Sequence, residues 1–257
     1  YIYDYSGKLL QQVTKGDWEV TEIVGVDETE SWLYFYGKKD SPLEQNIYRV
    51  GLDGNDLTRI SPQAGWHTPL FSPDYKYFID TYSNVTTPSI TVLNNTEGSL
   101  IRVLDEGRIE ALTGRNIVYP QFKKVMTDDG IELNAYLIKP HNFDSNKKYP
   151  VLVYGYGGPG SQKVVNRWGD YRSKWHQYMS EQGYLIFCLD NRGTGGRGKA
   201  FKNLSYGDLS KWSVYDQIEG AKYLSSLPFV DQDRLGFWGW SGGGYLTIAL
   251  MTRAADY

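Results

Sequence analysis

The first hundred residues repeat themselves at a fixed period, and that period limits what they can fold into. Gly7 (in Tyr5-Ser6-Gly7-Lys8), Gly54 (Leu52-Asp53-Gly54-Asn55) and Gly98 (Thr96-Glu97-Gly98-Ser99) each close a turn between two strand-like runs, 47 and 44 residues apart. Trp18 and Trp66 follow Gly16 and Gly65 at a spacing of 48, and Asp27 and Asp74 head the next hairpin at a spacing of 47. Runs such as Trp32-Leu33-Tyr34-Phe35-Tyr36, Asn46-Ile47-Tyr48-Arg49-Val50 and Tyr77-Phe78-Ile79-Asp80-Thr81-Tyr82 alternate with period two and are bounded by Gly, Asp, Asn and Pro. Such runs form short antiparallel strands. A period in the forties with four short strands each is the signature of a β-propeller blade. An irregular all-β sandwich is the competing expectation, and three landmarks sharing one period disfavour it. Propellers close with roughly four to eight blades, so residues 1–112 are expected to be the C-terminal blades of an incomplete propeller whose beginning lies elsewhere.

From Asp105 the pattern changes. Asp105–Leu112 is polar and reads as a short helix or a linker. Gln121–Met126 and Ile131–Ile138 flank Asp129-Gly130, a hairpin signal. Pro150–Gly155 is a continuous apolar run, as in a strand buried on both faces. A helix is expected around Asp170–Gln182, a strand at Tyr184–Leu189, an amphipathic helix over Ser213–Ser226 and a strand at Arg234–Trp238. Gly239-Trp240-Ser241-Gly242-Gly243 follows, then Tyr245–Met251 of helical composition. Strand, sharp turn with serine at its apex, then helix is the context of a nucleophile elbow. Residues 113–257 therefore read as the N-terminal part of an α/β-hydrolase domain.

The elbow implies a chemistry. Attack by Ser241 on a carbonyl carbon creates an oxyanion that needs aimed donors. The amide of Gly242, first in the elbow helix, supplies one. The second is expected from Tyr154-Gly155-Tyr156-Gly157-Gly158-Pro159-Gly160-Ser161-Gln162, which offers tyrosine hydroxyls rather than a His-Gly-Gly-Gly signature. The three histidines, His67, His141 and His176, all precede the serine, whereas this fold orders its triad Ser, Asp or Glu, then His. His67 is expected in a turn beside Trp66, His141 in a polar loop and His176 on the helix after the Tyr156 loop, each structural or solvent-exposed. The triad Asp and His are expected beyond Tyr257.

Composition excludes other classes. Net charge is −3 without blocks of one sign, which gives no footing for nucleic acid. The single cysteine, Cys188, rules out an internal disulfide and reads as a small buried hydrophobe. No apolar run is long enough to span a membrane. Asn84-Val85-Thr86, Asn94-Asn95-Thr96 and Asn203-Leu204-Ser205 match the glycosylation pattern.

Tyr156-Gly157-Gly158-Pro159-Gly160-Ser161-Gln162, Asp190-Asn191-Arg192-Gly193-Thr194-Gly195 and Gly239-Trp240-Ser241-Gly242-Gly243-Gly244-Tyr245 together resemble the prolyl oligopeptidase family of serine peptidases, most of all its dipeptidyl peptidase IV branch. That family joins a β-propeller to a C-terminal α/β-hydrolase domain. The resemblance implies Ser241 as nucleophile, with Tyr156 and the amide of Gly242 as the oxyanion donors. Asp190 and Arg192 match a loop read as fixed by hydrogen bonds and ion pairs. It further implies peptide substrates cleaved near the N-terminus, often after proline, through an acyl-enzyme and without a cofactor. An extracytoplasmic location and a homodimer of the full-length protein are also implied. Gly242 departs from the branch, which carries a tyrosine that walls the proline pocket, so a roomier pocket is expected. An endo-acting prolyl oligopeptidase, an acylaminoacyl peptidase and an inactive binding homologue are the alternatives.

Overall fold

Alternation along the aromatic runs decides which faces of the first strands must be covered. In the computed structural model, residues 1–169 and 171–254 are described. The chain divides into two compact units, Tyr1–Glu110 with Val165–Trp168, and Ala111–Val164 with Gly169–Tyr257.

The first unit opens with a two-stranded hairpin, β1 (Ile2–Tyr3) and β2 (Leu9–Gln11). Two four-stranded antiparallel meanders follow. One is β3 (Val20–Asp27), β4 (Trp32–Gly37), β5 (Asn46–Gly51) and β6 (Thr58–Arg59); the other is β7 (Trp66–Phe71), β8 (Tyr77–Asn84), β9 (Thr87–Asn95) and β10 (Leu100–Asp105). These are the blades that the period predicts. Gly7, Gly54 and Gly98 occupy equivalent turns with φ of +83°, +84° and +87°, a left-handed conformation that glycine adopts without steric cost.

Both faces of the first meander are apolar because each meets a neighbour. Leu33, Phe35, Tyr48 and Val50 pack with Ile2, Val13 and Trp18. On the opposite face Tyr34, Tyr36 and Ile47 pack with Phe71, Tyr75 and Phe78 of the second meander, and the Tyr34 and Tyr75 rings stack 5.4 Å apart. Each fully covered side chain stabilises by about 1.5–3 kcal/mol. The far face of the second meander leaves Leu70 and Ile79 exposed, and the whole of β10 is exposed as well.

Between the meanders lies a buried histidine–aspartate pair. His67 is in β7, not in the turn expected from its neighbours, and its side chain and that of Asp80 are 0% exposed. Its Nδ1 is 2.6 Å from Asp80 Oδ2 and its Nε2 is 2.8 Å from the Gln63 carbonyl oxygen, so both ring nitrogens face acceptors. The amide of Thr68 donates to the other Asp80 oxygen. Asn94, within one of the glycosylation patterns, is also fully buried here, whereas Asn203 is exposed.

Four residues from far along the chain complete this unit. The amide of Asn166 donates to the Leu43 carbonyl at 2.7 Å. Its side chain accepts from the Val85 amide and donates to Glu44, and the Trp168 amide donates to Ser83 Oγ.

The second unit is a five-stranded sheet in the order β11-β12-β14-β13-β15. Its strands are β11 (Gln121–Met126), β12 (Glu132–Ile138), β13 (Tyr149–Tyr154), β14 (Leu185–Asp190) and β15 (Val230–Trp238), with helices α1 (Tyr171–Glu181), α2 (Gly198–Lys202), α3 (Lys211–Ser225) and α4 (Gly242–Arg253). β13 runs parallel to both β14 and β15, and the β11–β12 hairpin joins antiparallel to β14. Every residue of β14 is buried. That includes Cys188, whose thiol burial pushes well above its ordinary range, so its role is packing. The polar stretch before this unit is mostly linker: β10 runs to Asp105 and only Glu110–Leu112 forms a 3-10 turn. Among the described residues no helix is long and apolar enough to cross a membrane.

Removing one partner of a buried pair leaves an uncompensated charge, at a cost of about 3–5 kcal/mol. His67→Ala is expected to destabilise the first unit by that amount in urea unfolding. A change below about 0.5 kcal/mol, the range of neutral surface substitutions, contradicts a stabilising role for the pair.

Candidate active site

A carbonyl oxygen shapes the elbow. β13 and β15 stay in register to their ends, Tyr154 opposite Trp238, and the Gly155 amide then donates to the Trp238 carbonyl at 3.2 Å. This brings the Gly155 oxygen beneath the turn, where a β-carbon on either Gly239 or Gly243 would overlap it. Both positions must therefore be glycine. The turn closes with the Gly243 amide on the Trp240 carbonyl and the Tyr245 amide on the Ser241 carbonyl. Ser241 is held at φ 56°, ψ −114°, a strained backbone costing about 1–3 kcal/mol that the surroundings must impose. The strain lifts the serine clear: it is exposed, and its side chain makes no capping bond to the helix it precedes. Gly242, the first helical residue, has an amide that the helix itself leaves unbonded.

Tyr156 follows directly after the wedging carbonyl. Its half-buried ring lies against the start of α4: a β-carbon on Gly242 would sit 3.3 Å from its Cζ and 3.4 Å from its Cε1. Ser241, Gly242 and Tyr156 are thus brought to one end of β13 and β15. An anion formed on a carbonyl attacked at Ser241 would meet an amide at a helix N-terminus, where negative charge is favoured. Tyr154 is instead buried, packed against His176 and Trp238 with centroids 5.3 and 4.9 Å away.

The loop bearing Tyr156 is stitched to the loop after β14. The Gly160 amide donates to the Gly193 carbonyl and the Gly195 amide to the Ser161 carbonyl. Buried Asp190 accepts the amides of Lys163 (2.9 and 3.1 Å) and Val164 (2.8 Å). Arg192 reaches elsewhere. Its guanidinium binds Asp216 of α3 at 2.6 Å and Asp129 of the hairpin turn at 2.6 Å, and it lies 3.9 Å from the Trp212 ring centroid. Burial raises the Asp216 carboxyl above its usual range against the pull of Arg192. Asp129 is held low, chiefly by its bond from Arg192 and secondarily by Thr127. The sequence motif points to Asp190 and Arg192 but to neither Asp216 nor Asp129, which stand 24 and 63 residues from the arginine.

Of the histidines in this unit, His141 is exposed and His176 is buried among Tyr154 and Trp238. Among the described residues no group of three or more His, Cys, Asp or Glu side chains is placed to hold a metal ion.

Propeller-type meanders followed by an α/β-hydrolase sheet with a strained elbow define an α/β-hydrolase of the propeller-bearing kind. Residues 1–89 match the family model for the dipeptidyl peptidase IV N-terminal region, and residues 170–257 match that of the prolyl oligopeptidase family. The chain is 33% identical over 251 residues to an Emericella nidulans protein named "Probable dipeptidyl-aminopeptidase B", covering 95% of this chain and 27% of the relative. A protein of the same name from Arthroderma gypseum is 34% identical over 253 residues, with the same coverage. The crystal structure of Porphyromonas gingivalis dipeptidyl peptidase 4 superposes with a TM-score of 0.92 at 35% identity, covering 98% of this chain and 36% of that one. The chain belongs to the prolyl oligopeptidase family and is dipeptidyl peptidase IV-like. It spans about a quarter of the length of these curated relatives.

Two substitutions test the framework. Gly243→Ala is expected to cost at least about 1–3 kcal/mol, as overpacking does when the obstructing atom is backbone, read as a lowered unfolding midpoint; an unchanged midpoint rejects the wedge. Arg192→Met leaves Asp216 buried and unpaired and should cost about 3–5 kcal/mol in the same measurement.

Proposed function

We propose that the full-length protein is a serine exopeptidase releasing dipeptides from peptide N-termini through an acyl-enzyme on Ser241. The observation that carries this reading is the elbow: a serine at φ 56°, exposed, at the start of a helix whose leading residue, Gly242, lies beside the Tyr156 ring so closely that a β-carbon there would sit 3.3 Å from it. Ser241 Oγ attacks the scissile carbonyl, and a general base takes its proton. The amide of Gly242 and the hydroxyl of Tyr156 donate to the oxyanion, which collapses with loss of the amine; water then releases the acyl group by the same route. A phenol suits the second donor position because it is neutral, rigid and packed in place.

None of His67, His141 and His176 is assigned as the base. His67 is engaged on both nitrogens, His176 is buried against Tyr154 and Trp238, and His141 is on a polar loop. The base is assigned instead to a region of the protein outside this span, in keeping with relatives several times its length. Gly242 adds no side chain to the pocket wall, which leaves a roomier pocket before the scissile bond and a weaker preference for proline there. Residues 1–112 are assigned to the propeller and 113–257 to the hydrolase domain; the boundary between the compact units falls slightly earlier, after Glu110. An extracytoplasmic location and a homodimer complete the proposal.

In the full-length protein, Ser241→Ala is expected to reduce turnover of a dipeptidyl p-nitroanilide to background with folding intact. Tyr156→Phe should lower kcat by roughly 10²–10³, the usual loss for one oxyanion donor. Near-normal turnover by the serine variant rejects the nucleophile, and an unchanged kcat in the phenylalanine variant reduces Tyr156 to packing.

A further inference from the structure

The loop that carries Tyr156 doubles back on it. Ser161 makes the turn, its amide and hydroxyl both donating to the Gly158 carbonyl at 3.2 and 2.8 Å. Lys163 then returns beside the tyrosine. Its backbone is pinned, because its own amide and that of Val164 both donate to the carboxylate of buried Asp190. From that fixed point the side chain, half-buried, places its ammonium 4.7 Å from the centroid of the Tyr156 ring. Among the described residues no carboxylate oxygen forms an ion pair with it, so its charge is directed at the ring. Gly158 adjoins the ring: a β-carbon there would come within 2.8 Å of Tyr156 Cε1, so that residue leaves room for the phenol.

We propose that Lys163 is a positioning residue for Tyr156, fixing the phenol and strengthening it as an oxyanion donor by a cation held over its ring. A cation over an aromatic face is attracted by the ring quadrupole, and the attraction grows when water is displaced. Two consequences serve the transition state. The ring loses freedom to swing away from α4, which keeps its hydroxyl where the oxyanion forms. The cation also draws density from the ring and away from the hydroxyl oxygen, which makes the O–H a stronger donor as charge appears on the substrate. Both effects matter more in the transition state than in the bound substrate, so they belong in kcat rather than in KM. The inference rests on the reading of Tyr156 as an oxyanion donor.

The test is a double-mutant cycle in the full-length protein, with an aminoacyl-proline p-nitroanilide (a dipeptide p-nitroanilide) as the probe. Lys163→Met keeps the length of the stem and removes the charge; Lys163→Arg keeps the charge. Lys163→Met is expected to lower kcat by about 3- to 30-fold, the span of cation–π strengths from exposed to desolvated sites, with KM changed less than twofold. Lys163→Arg should retain most of the activity. In a Tyr156→Phe background, Lys163→Met should have almost no further effect. A Lys163→Met enzyme with wild-type kcat overturns the proposal. So does a loss of the same size in both backgrounds, because the lysine then acts independently of the phenol, and so does an arginine variant as impaired as the methionine one. If Tyr156→Phe alone leaves kcat unchanged, the oxyanion assignment itself fails, a result distinct from a failure confined to Lys163.

Discussion

The site depends on one close approach, that of the Gly155 carbonyl to the two glycines of the elbow. Parallel pairing of β13 with β15 places that oxygen, since their register is unbroken from Val151 opposite Leu235 to Tyr154 opposite Trp238. The elbow must then bend over an atom that leaves no room for a side chain at Gly239 or Gly243. Ser241 is forced into the left-handed half of conformational space because the turn has no other way to reach α4 in three residues. The same oxygen also locates Tyr156, the proposed second donor. Tyr156 is the next residue in the chain, so the distance between its ring and Gly242 is set by the contact that bends the elbow. The proposed nucleophile and the proposed donor thus share one origin in this contact.

The first unit is organised differently. Its stability is built from neighbours, with each meander offering two apolar faces that only the next one can cover, as in other repeat architectures. The first meander has both faces occupied, by Ile2, Val13 and Trp18 on one side and Phe71, Tyr75 and Phe78 on the other. The buried His67–Asp80 pair sits in the same layer. A buried ion pair gives little net stability over well-packed hydrophobes, but it tolerates few alternative alignments of β7 against β8. Its position suits a role in register, since a one-residue slip would carry the histidine to the opposite face.

What could be read from the sequence was local. The blades were legible because their turns require glycine at a left-handed position, and Gly7, Gly54 and Gly98 recur with the blade. The elbow was legible for the same reason: strain leaves glycines behind it. The limits of β13 and β14 were legible because those buried strands are nearly continuously apolar, whereas β15 begins at Val230, four residues before the expected Arg234, because the polar Asp231-Gln232-Asp233 hides its start. Long-range polar pairing was not legible. Nothing local marks Asp216 or Asp129 as partners of Arg192, or Val165–Trp168 as belonging to the first unit, because those contacts are created by the fold and have no spacing of their own. Lys163 looks like any loop lysine until the backbone around it is closed. His67 was misplaced into a turn because its flanking Gly65 and Trp66 are turn markers, whereas the strand begins at Trp66 itself.

Asp190 and Arg192 show how one short motif divides a mechanical task. They are two residues apart and oppositely charged, yet each reaches for other groups. Asp190 grips backbone amides at Lys163 and Val164, while Arg192 ties its own loop to α3 and to the β11–β12 turn. Between them run the stitches from Gly160 to Gly193 and from Gly195 to Ser161. The Tyr156 loop is therefore fastened to a second loop, and that loop is bolted to a helix and a hairpin by a buried guanidinium. A donor that must meet an oxyanion within a few tenths of an ångström needs this kind of backing, because a phenol on a free loop would have to be ordered at the moment of reaction. Under the proposed mechanism the charges of the motif act on the chemistry through the position of the tyrosine, with no need for either of them to touch the substrate.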